Sequence, residues 1–267
     1  MNKQGKLVNG RVVGGIEWVK TMLPDGTERQ GYTVNPVGGC RHACRWKMPD
    51  GTIAECYAET TAQGAARDAY PHGFAHHYWR PDALKEILNQ KTPARIFADS
   101  MSDLMGHWVV DDEIQRCLDV FAQAHWHTIL ILTKNAPRLL QFEFPDNVHV
   151  GVSSPPDFMW GKELTPQMQK AMLHNAYQIL SRVKARVRWV SFEPLSRDYT
   201  AIAKAYPGAI QWAVIGAASR GNKYFQPNPA HVVSLRDVLR AQGVKIFYKG
   251  NLRGNPAAEP WLEEYPE

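Results

Sequence analysis

The sequence predicts an α/β fold with parallel strands that close toward a TIM-like barrel, and three observations predict it. From residue 95 onward, short β-branched or aromatic runs alternate with longer stretches of helical period, which is the signature of βαβ units. Runs such as Thr128-Ile-Leu-Ile-Leu132 and Trp212-Ala-Val-Ile215 are apolar throughout rather than alternating, as strands covered on both faces must be. The length of 267 residues also matches the size at which (β/α) barrels persist as one unit. With 44% hydrophobic and 21% charged residues, the composition excludes a disordered, fibrous or coiled-coil chain.

Taken in order, residues 1–31 carry Gly14-Gly15 and the turn Pro24-Asp25-Gly26-Thr27, which predict an N-terminal β-hairpin extension ahead of the barrel. The barrel proper spans 32–250. Strands are predicted at 32–36, 95–98, 128–132, 148–152, 187–191, 212–215 and 245–248. Between them fall helices at 57–68, 81–88, 112–124, 137–142, 166–183, 197–205 and 229–242, several opening with Pro in the first turn. Ile114, Cys117, Leu118 and Phe121 recur at helical spacing, so Cys117 reads as core. Met168, Met172, Ala176, Ile179, Leu180 and Val183 form a similar stripe, and its methionines read as core fillers. The tail 251–267 contains three prolines and reads as an irregular covering segment.

The formal net charge is +5, which agrees with a polyanionic partner without requiring one. The densest basic run, Arg182, Lys184, Arg186 and Arg188, stands where a helix should end, and cations there complement the helix dipole. No apolar run approaches the ~18–20 residues of a membrane span, and the first ten residues are polar. A cytoplasmic protein without membrane contact is expected.

Polar or charged residues follow the strands directly: Asp99-Ser100-Met101-Ser102-Asp103, Thr133-Lys134, Ser153-Ser154, Phe192-Glu193 and Lys249. In parallel α/β barrels the C-terminal strand ends form the active-site face, so these clusters are expected to converge on one site. Each alone would serve equally as a helix cap.

Cys40, Cys44 and Cys56 crowd into seventeen positions, with C-x3-C spacing between the first two and eleven residues before the third. In a reducing compartment, clustered cysteines point to metal or catalysis rather than disulfides. Three thiolates on a four-iron cluster leave one iron open, the position an activating cofactor needs. A structural Cys3His zinc site is the other chemistry open to this loop, with His42, His72, His76 or His77 as fourth ligand. The adjacent pair His76-His77 points apart on any regular element.

Several common motifs are absent. Gly216-x4-Gly221 is followed by Asn222-Lys223-Tyr224, so the phosphate-binding Gly-Lys-Ser/Thr is missing, and no G-x-S-x-G, H-E-x-x-H or G-x-G-x-x-G occurs.

The stretches Asn35-Pro-Val-Gly-Gly-Cys40, Cys56-Tyr-Ala-Glu59 and Arg95-Ile-Phe-Ala-Asp-Ser-Met-Ser-Asp-Leu104 carry a resemblance. It continues through Trp126-His-Thr128, Leu132-Thr-Lys134, Gly151-Val-Ser153, Ser191-Phe-Glu-Pro-Leu195, Ser234-Leu-Arg236 and Phe247-Tyr-Lys249. Over nearly the whole chain from residue 31, the sequence resembles phage- and prophage-associated three-cysteine-motif proteins of the radical S-adenosylmethionine (SAM) superfamily.

That resemblance implies a partial (β/α) TIM-like barrel with a [4Fe-4S] cluster on Cys40, Cys44 and Cys56, and SAM on the open iron. Ser100, Ser102 and Asp103 would hold the methionine amine, and Ser153 and Ser154 the ribose or carboxylate. Lys134, Glu193 and Lys249 would act as charged catalytic groups. An external electron donor such as flavodoxin or ferredoxin is implied, and the substrate would be a modified pyrimidine in phage DNA, rearranged by a radical step. Exposed aromatics such as Tyr70, Tyr78 and Trp79 are expected to help hold a flipped base. The superfamily usually has C-x3-C-x2-C, so the longer gap before Cys56 is a departure, attributed to a hairpin at Pro49-Asp-Gly-Thr52. Two other readings are a radical SAM repair, lyase or peptide-modifying enzyme, and a zinc-stabilised nucleic-acid-binding protein.

Overall fold

Each of the seven apolar runs forms a strand in the computed structural model, which describes residues 1–266; Glu267, the end of the predicted tail, lies outside them. The strands are β1 (Tyr32–Val34), β2 (Arg95–Ala98), β3 (Thr128–Thr133), β4 (Val148–Ser153), β5 (Val187–Phe192), β6 (Trp212–Ile215) and β7 (Lys245–Tyr248). The fold is mixed α/β and built on a large sheet of mostly parallel strands.

The chain divides into two compact units, residues 1–41, 57–150 and 184–186 in the first, and 42–56, 151–183 and 187–266 in the second. In the first unit, β2 lies between β1 and β3 and runs parallel to both, and Asn2–Lys3 pairs antiparallel with β1. Its helices are α1 (Tyr57–Gln63), α2 (Asp82–Asn89) and α3 (Asp111–Gln123). Every residue of β2 is buried, and Ile114, Cys117, Leu118 and Phe121 of α3 are buried as their spacing predicts. In the second unit, β6 lies between β5 and β7, again parallel to both, with α4 (Pro166–Leu180), α5 (Thr200–Ala205) and α6 (Pro229–Ala241). Trp189 and Trp212 face each other across β5 and β6 with ring centroids 5.0 Å apart, both fully buried.

Local chemistry shortens several predicted elements. The helix expected at 57–68 stops at Gln63, because Thr60, Thr61 and Gly64 are poor helix formers, and a separate 3-10 turn occupies Arg67–Ala69. The helix expected from 197 begins at Thr200, since the Asp198 carboxylate accepts the Thr200 N–H (2.9 Å) and holds the preceding residues in a turn. The helix expected at 137–142 is a 3-10 helix, Ala136–Gln141, and Phe142 beyond it is extended. The N-terminal segment holds two hairpins rather than one. Lys6–Val8 pairs with Arg11–Val13 around Asn9-Gly10, both at positive φ as a tight I′ turn requires, and Thr21–Met22 pairs with Glu28–Arg29 around the predicted Pro-Asp-Gly-Thr turn. Of the basic run at 182–188, Arg188 lies in β5 and donates to the carbonyls of Val183 and Gly208, so it is structural.

The first unit also buries His149 within β4. Burial, with the charges of Arg95 and Arg186, pushes its pKa down to about 3. The unfolded value is about 6.5, so the unfolded chain takes up a proton that the native chain refuses. The stability contributed by neutral His149 is therefore complete above that unfolded value and is lost as pH falls through the window toward about 3. Urea unfolding should show stability falling from neutral to mildly acidic pH, with His149 supplying up to about 1.4 kcal/mol per pH unit. His149→Leu should flatten that dependence; an unchanged slope would show that His149 does not set it.

Candidate functional site

In the first unit the loops that follow β1 and β2 are bonded to each other at nearly every residue. Asn35 Oδ1 accepts the Met101 N–H (2.8 Å) and the Ser100 hydroxyl (3.2 Å). Asp99 Oδ1 accepts the Val37 N–H (2.8 Å), the Gly39 N–H donates to the Met101 carbonyl (3.1 Å), and the Ser102 hydroxyl donates to the Gly39 carbonyl (2.6 Å). Gly39 is required here: its φ is +83°, and a Cβ would fall 1.9 Å from the His76 carbonyl oxygen. Cys40 follows, half-buried, with its N–H donating to the Phe74 carbonyl (2.8 Å).

The same bonding extends to the loop after β3. Asp103, buried, accepts the N–H groups of Met105 (3.0 Å) and Lys134 (2.9 Å) on its two oxygens. Ser100, Ser102, Asp103 and Lys134, each predicted from sequence, are thus joined through the braces that hold the Cys40 loop. The two serines spend their hydroxyl protons on those braces and keep acceptor capacity only.

Sequence reasoning placed Asn35 and Asp99 inside motifs but gave neither a role. Asp99 ends β2 at φ +60° and is buried, and burial pushes its carboxyl well above the usual carboxylate range. Its Oδ2 has no hydrogen-bond partner among the described residues. The available signal was an acidic residue directly after the short strand Arg95–Ala98.

In the second unit, Arg45–Lys47 and Ile53–Glu55 form an antiparallel hairpin, with Asp50 Oδ1 accepting the Thr52 N–H and hydroxyl at the turn. The register pairs Arg45 with Glu55. The ladder ends at that pair, and Cys44 and Cys56 are the residues that flank it on the two strands. The eleven intervening residues are thus taken up by a stem and a turn.

That hairpin is anchored. Phe158–Met159 pairs with it through Arg45, and Asp157 Oδ2 accepts the Lys47 N–H (2.9 Å) while its own N–H donates to the Arg45 carbonyl (3.1 Å). Asp157 Oδ1 accepts from Gln169 Nε2 (3.0 Å) of α4 and lies 3.4 Å from Arg197. His42, buried, packs against the Trp160 ring and accepts the Trp160 N–H on its carbonyl (2.7 Å).

The ends of β4 to β7 converge in this unit. The Ser154 N–H donates to the Ser191 carbonyl (2.8 Å), and the Ser153 hydroxyl approaches the Ser154 carbonyl (3.4 Å). Ser191 Oγ donates to Glu193 Oε1 (3.2 Å), and Lys249 Nζ is 2.7 Å from Glu193 Oε2. Both members of that ion pair keep about a fifth to a quarter of their side chains exposed. Gly216 fits beneath them: a Cβ would stand 3.1 Å from Asn251 Oδ1, 3.2 Å from Lys249 Cδ and 3.4 Å from Glu193 Cγ. Asn251 was not foreseen; its amide clasps Ala217, accepting its N–H (3.0 Å) and donating to its carbonyl (2.8 Å).

The aromatic residues expected to grip a base are otherwise employed. Tyr70 is buried, Tyr78 is half-buried, and the Arg80 guanidinium lies 4.8 Å and 5.0 Å from their ring centroids. Trp79 carries Arg116 over its ring. His76 and His77 diverge, His76 onto Tyr78 and His77 Nε2 to Glu113 Oε2 at 2.7 Å.

Free thiols are the donors an iron–sulfur cluster takes. None of the four cysteines is in a disulfide, and burial pushes the Cys117 thiol up, leaving it a poor ligand. Among the described residues no three His, Cys, Asp or Glu side chains are grouped to hold a single metal ion. A four-iron cluster seats each thiolate on a different iron, so its ligands stand farther apart than those of one ion. No helix among the described residues is long and apolar enough to cross a membrane.

No curated protein matches the sequence. Among solved structures, the chain is similar to a mutant of spore photoproduct lyase with bound AdoMet and dinucleoside spore photoproduct, at 10% identity over 88% of this chain and 80% of that one, with a TM-score of 0.47. It is also similar to spore photoproduct lyase complexed with dinucleoside spore photoproduct, at 11% identity, 86% and 79% coverage and a TM-score of 0.45. A family model described as a protein of unknown function, DUF5131, matches residues 15–255, and the chain belongs to that family.

Proposed function

We propose that this protein is a radical SAM enzyme with a partial TIM-like barrel, acting on a modified pyrimidine base in DNA. The observation that carries the reading is the hairpin whose last pair, Arg45 with Glu55, is flanked by Cys44 and Cys56, with Cys40 four residues earlier in the loop after β1. It takes up the x11 spacing in a stem and a turn. Cys40, Cys44 and Cys56 would hold the cluster. Its chemistry with SAM is reductive cleavage to methionine and a 5′-deoxyadenosyl radical, which takes a hydrogen atom from the substrate.

The chain's own residues supply position and charge. Asn35, Asp99 and Ser102 hold the Cys40 loop by backbone bonds, which keeps one ligand in place before any cofactor binds. Ser153 and Ser154, at the end of β4, supply hydroxyl groups for the ribose or carboxylate of SAM. The serines after β2 serve the methionine end as acceptors for its ammonium. Glu193 and Lys249 form a partly exposed ion pair that can orient a polar substrate group or pass a proton between carboxylate and ammonium. The DNA substrate, a net isomerisation, the phage setting, the cytoplasmic site of action and a flavodoxin- or ferredoxin-type donor rest on the sequence resemblance, with the +5 charge in agreement.

Iron content of anaerobically purified protein tests the ligand set. Cys40→Ala, Cys44→Ala and Cys56→Ala should each lose most of the iron and the brown colour, and Cys117→Ala should keep both. Iron retained in Cys56→Ala would overturn the assignment, and zinc in place of iron in the wild type would favour the zinc-stabilised reading. Glu193→Gln and Lys249→Met should keep iron and lower formation of the new nucleoside from phage DNA by about tenfold or more, the scale of a lost acid–base group. Full turnover in both would place the chemistry elsewhere.

A further inference from the structure

A further hairpin follows β6, which lies between β5, after which Glu193 stands, and β7, after which Lys249 stands. Ala218–Arg220 pairs antiparallel with Lys223–Phe225, and Gly221 takes φ +58°, as the first central residue of a II′ turn must. Asn251 holds both feet of this ribbon. Its side chain clasps Ala217, and its carbonyl accepts from Gln226 Nε2 (2.9 Å). The stem is thereby fixed beside Gly216 while its tip stands in solvent.

The tip is basic and aromatic. Arg220 and Lys223 are directly paired across the ribbon, and both are exposed. Like charges facing each other destabilise a two-stranded ribbon, a cost that an anionic ligand between them would offset. Tyr224, one position along, leaves 56% of its surface exposed, enough to offer a ring face. Asp50, at the turn of the cysteine hairpin, has its carboxyl held below its ordinary range, first by hydrogen bonds from Thr52 and then by the charges of Lys223 and Arg220. The two tips therefore lie within electrostatic reach.

We infer that the hairpin 218–225 is a nucleic-acid contact, in which Arg220 and Lys223 neutralise backbone phosphates and Tyr224 stacks on an unpaired base. Two exposed cations paired across one narrow ribbon can meet successive phosphates of one strand, and the exposed phenol of Tyr224, on the ribbon's other face, offers sequence-tolerant stacking to a base turned round its edge. This rests on the DNA reading above and adds to it the element that delivers the base.

The test is fluorescence anisotropy of the cluster-loaded protein with a short labelled single-stranded DNA over a series of salt concentrations. Wild type should bind with a negative log–log salt slope. Arg220→Gln with Lys223→Gln should weaken binding and reduce that slope by about 1.4, about 0.7 for each phosphate that is no longer neutralised on a single strand. Tyr224→Ala should weaken binding about fivefold or more, and Tyr224→Phe should keep wild-type affinity. Exchanging the cations, Arg220→Lys with Lys223→Arg, should also keep it, which separates charge from folding of the ribbon. If the double glutamine variant binds with wild-type affinity and slope, the hairpin inference fails and the DNA reading stands. If wild type binds no DNA at low salt, while iron loading and SAM cleavage persist, the DNA reading fails and takes the hairpin with it.

Discussion

The candidate site depends on one antiparallel pairing, Arg45 with Glu55, because that pair joins the chain segments next to Cys44 and Cys56. Without the stem, eleven residues of free chain would separate the two thiols and the entropy of closing that loop would oppose any shared ligand. With it, the cost is met during folding by the strand bonds and by Asp157, whose carboxylate reaches Lys47, Gln169 and Arg197. A single buried carboxylate thus connects the cysteine hairpin to α4 and to the loop after β5.

Backbone hydrogen bonds do comparable work in the first unit. Asn35 and Asp99 act as surrogate strand partners, continuing the parallel pairing of β1 and β2 past the point where the ladder stops. Loops fixed in this way hold the Cys40 backbone in place through their own main-chain and side-chain bonds. That division explains why polar residues after the strands fall into two kinds: some brace the loops, and others, such as Glu193 and Lys249, keep part of their surface open.

Much of the architecture was legible because buried parallel strands must be apolar on both faces; β2, β3 and β6 announce themselves by composition. Cys117 was equally legible from the spacing of its apolar neighbours. Helix ends were less so, since Thr60, Gly64 and Asp198 act through local bonds that periodicity does not register. Asn35, Asp99 and Asn251 were missed as functional supports because each bonds to backbone 34 to 66 residues away, which only the tertiary fold brings near. Tyr70 and Tyr78 were misplaced for the converse reason: an aromatic residue in a loop looks available until Arg80 is found stacked on it.

The cysteine hairpin also implies a rule of parity. Its stem grows or shrinks by one residue on each strand at a time, so the segment between Cys44 and Cys56 can change length in steps of two and leave both cysteines flanking the last pair. A single inserted residue in the stem would instead shift one strand by one position and turn its side chains to the other face. The odd count of eleven, three pairs around a five-residue turn, belongs to the permitted series. The distal turn is then a place where sequence can be added without disturbing the cysteine end, so long as the stem below it keeps its pairs.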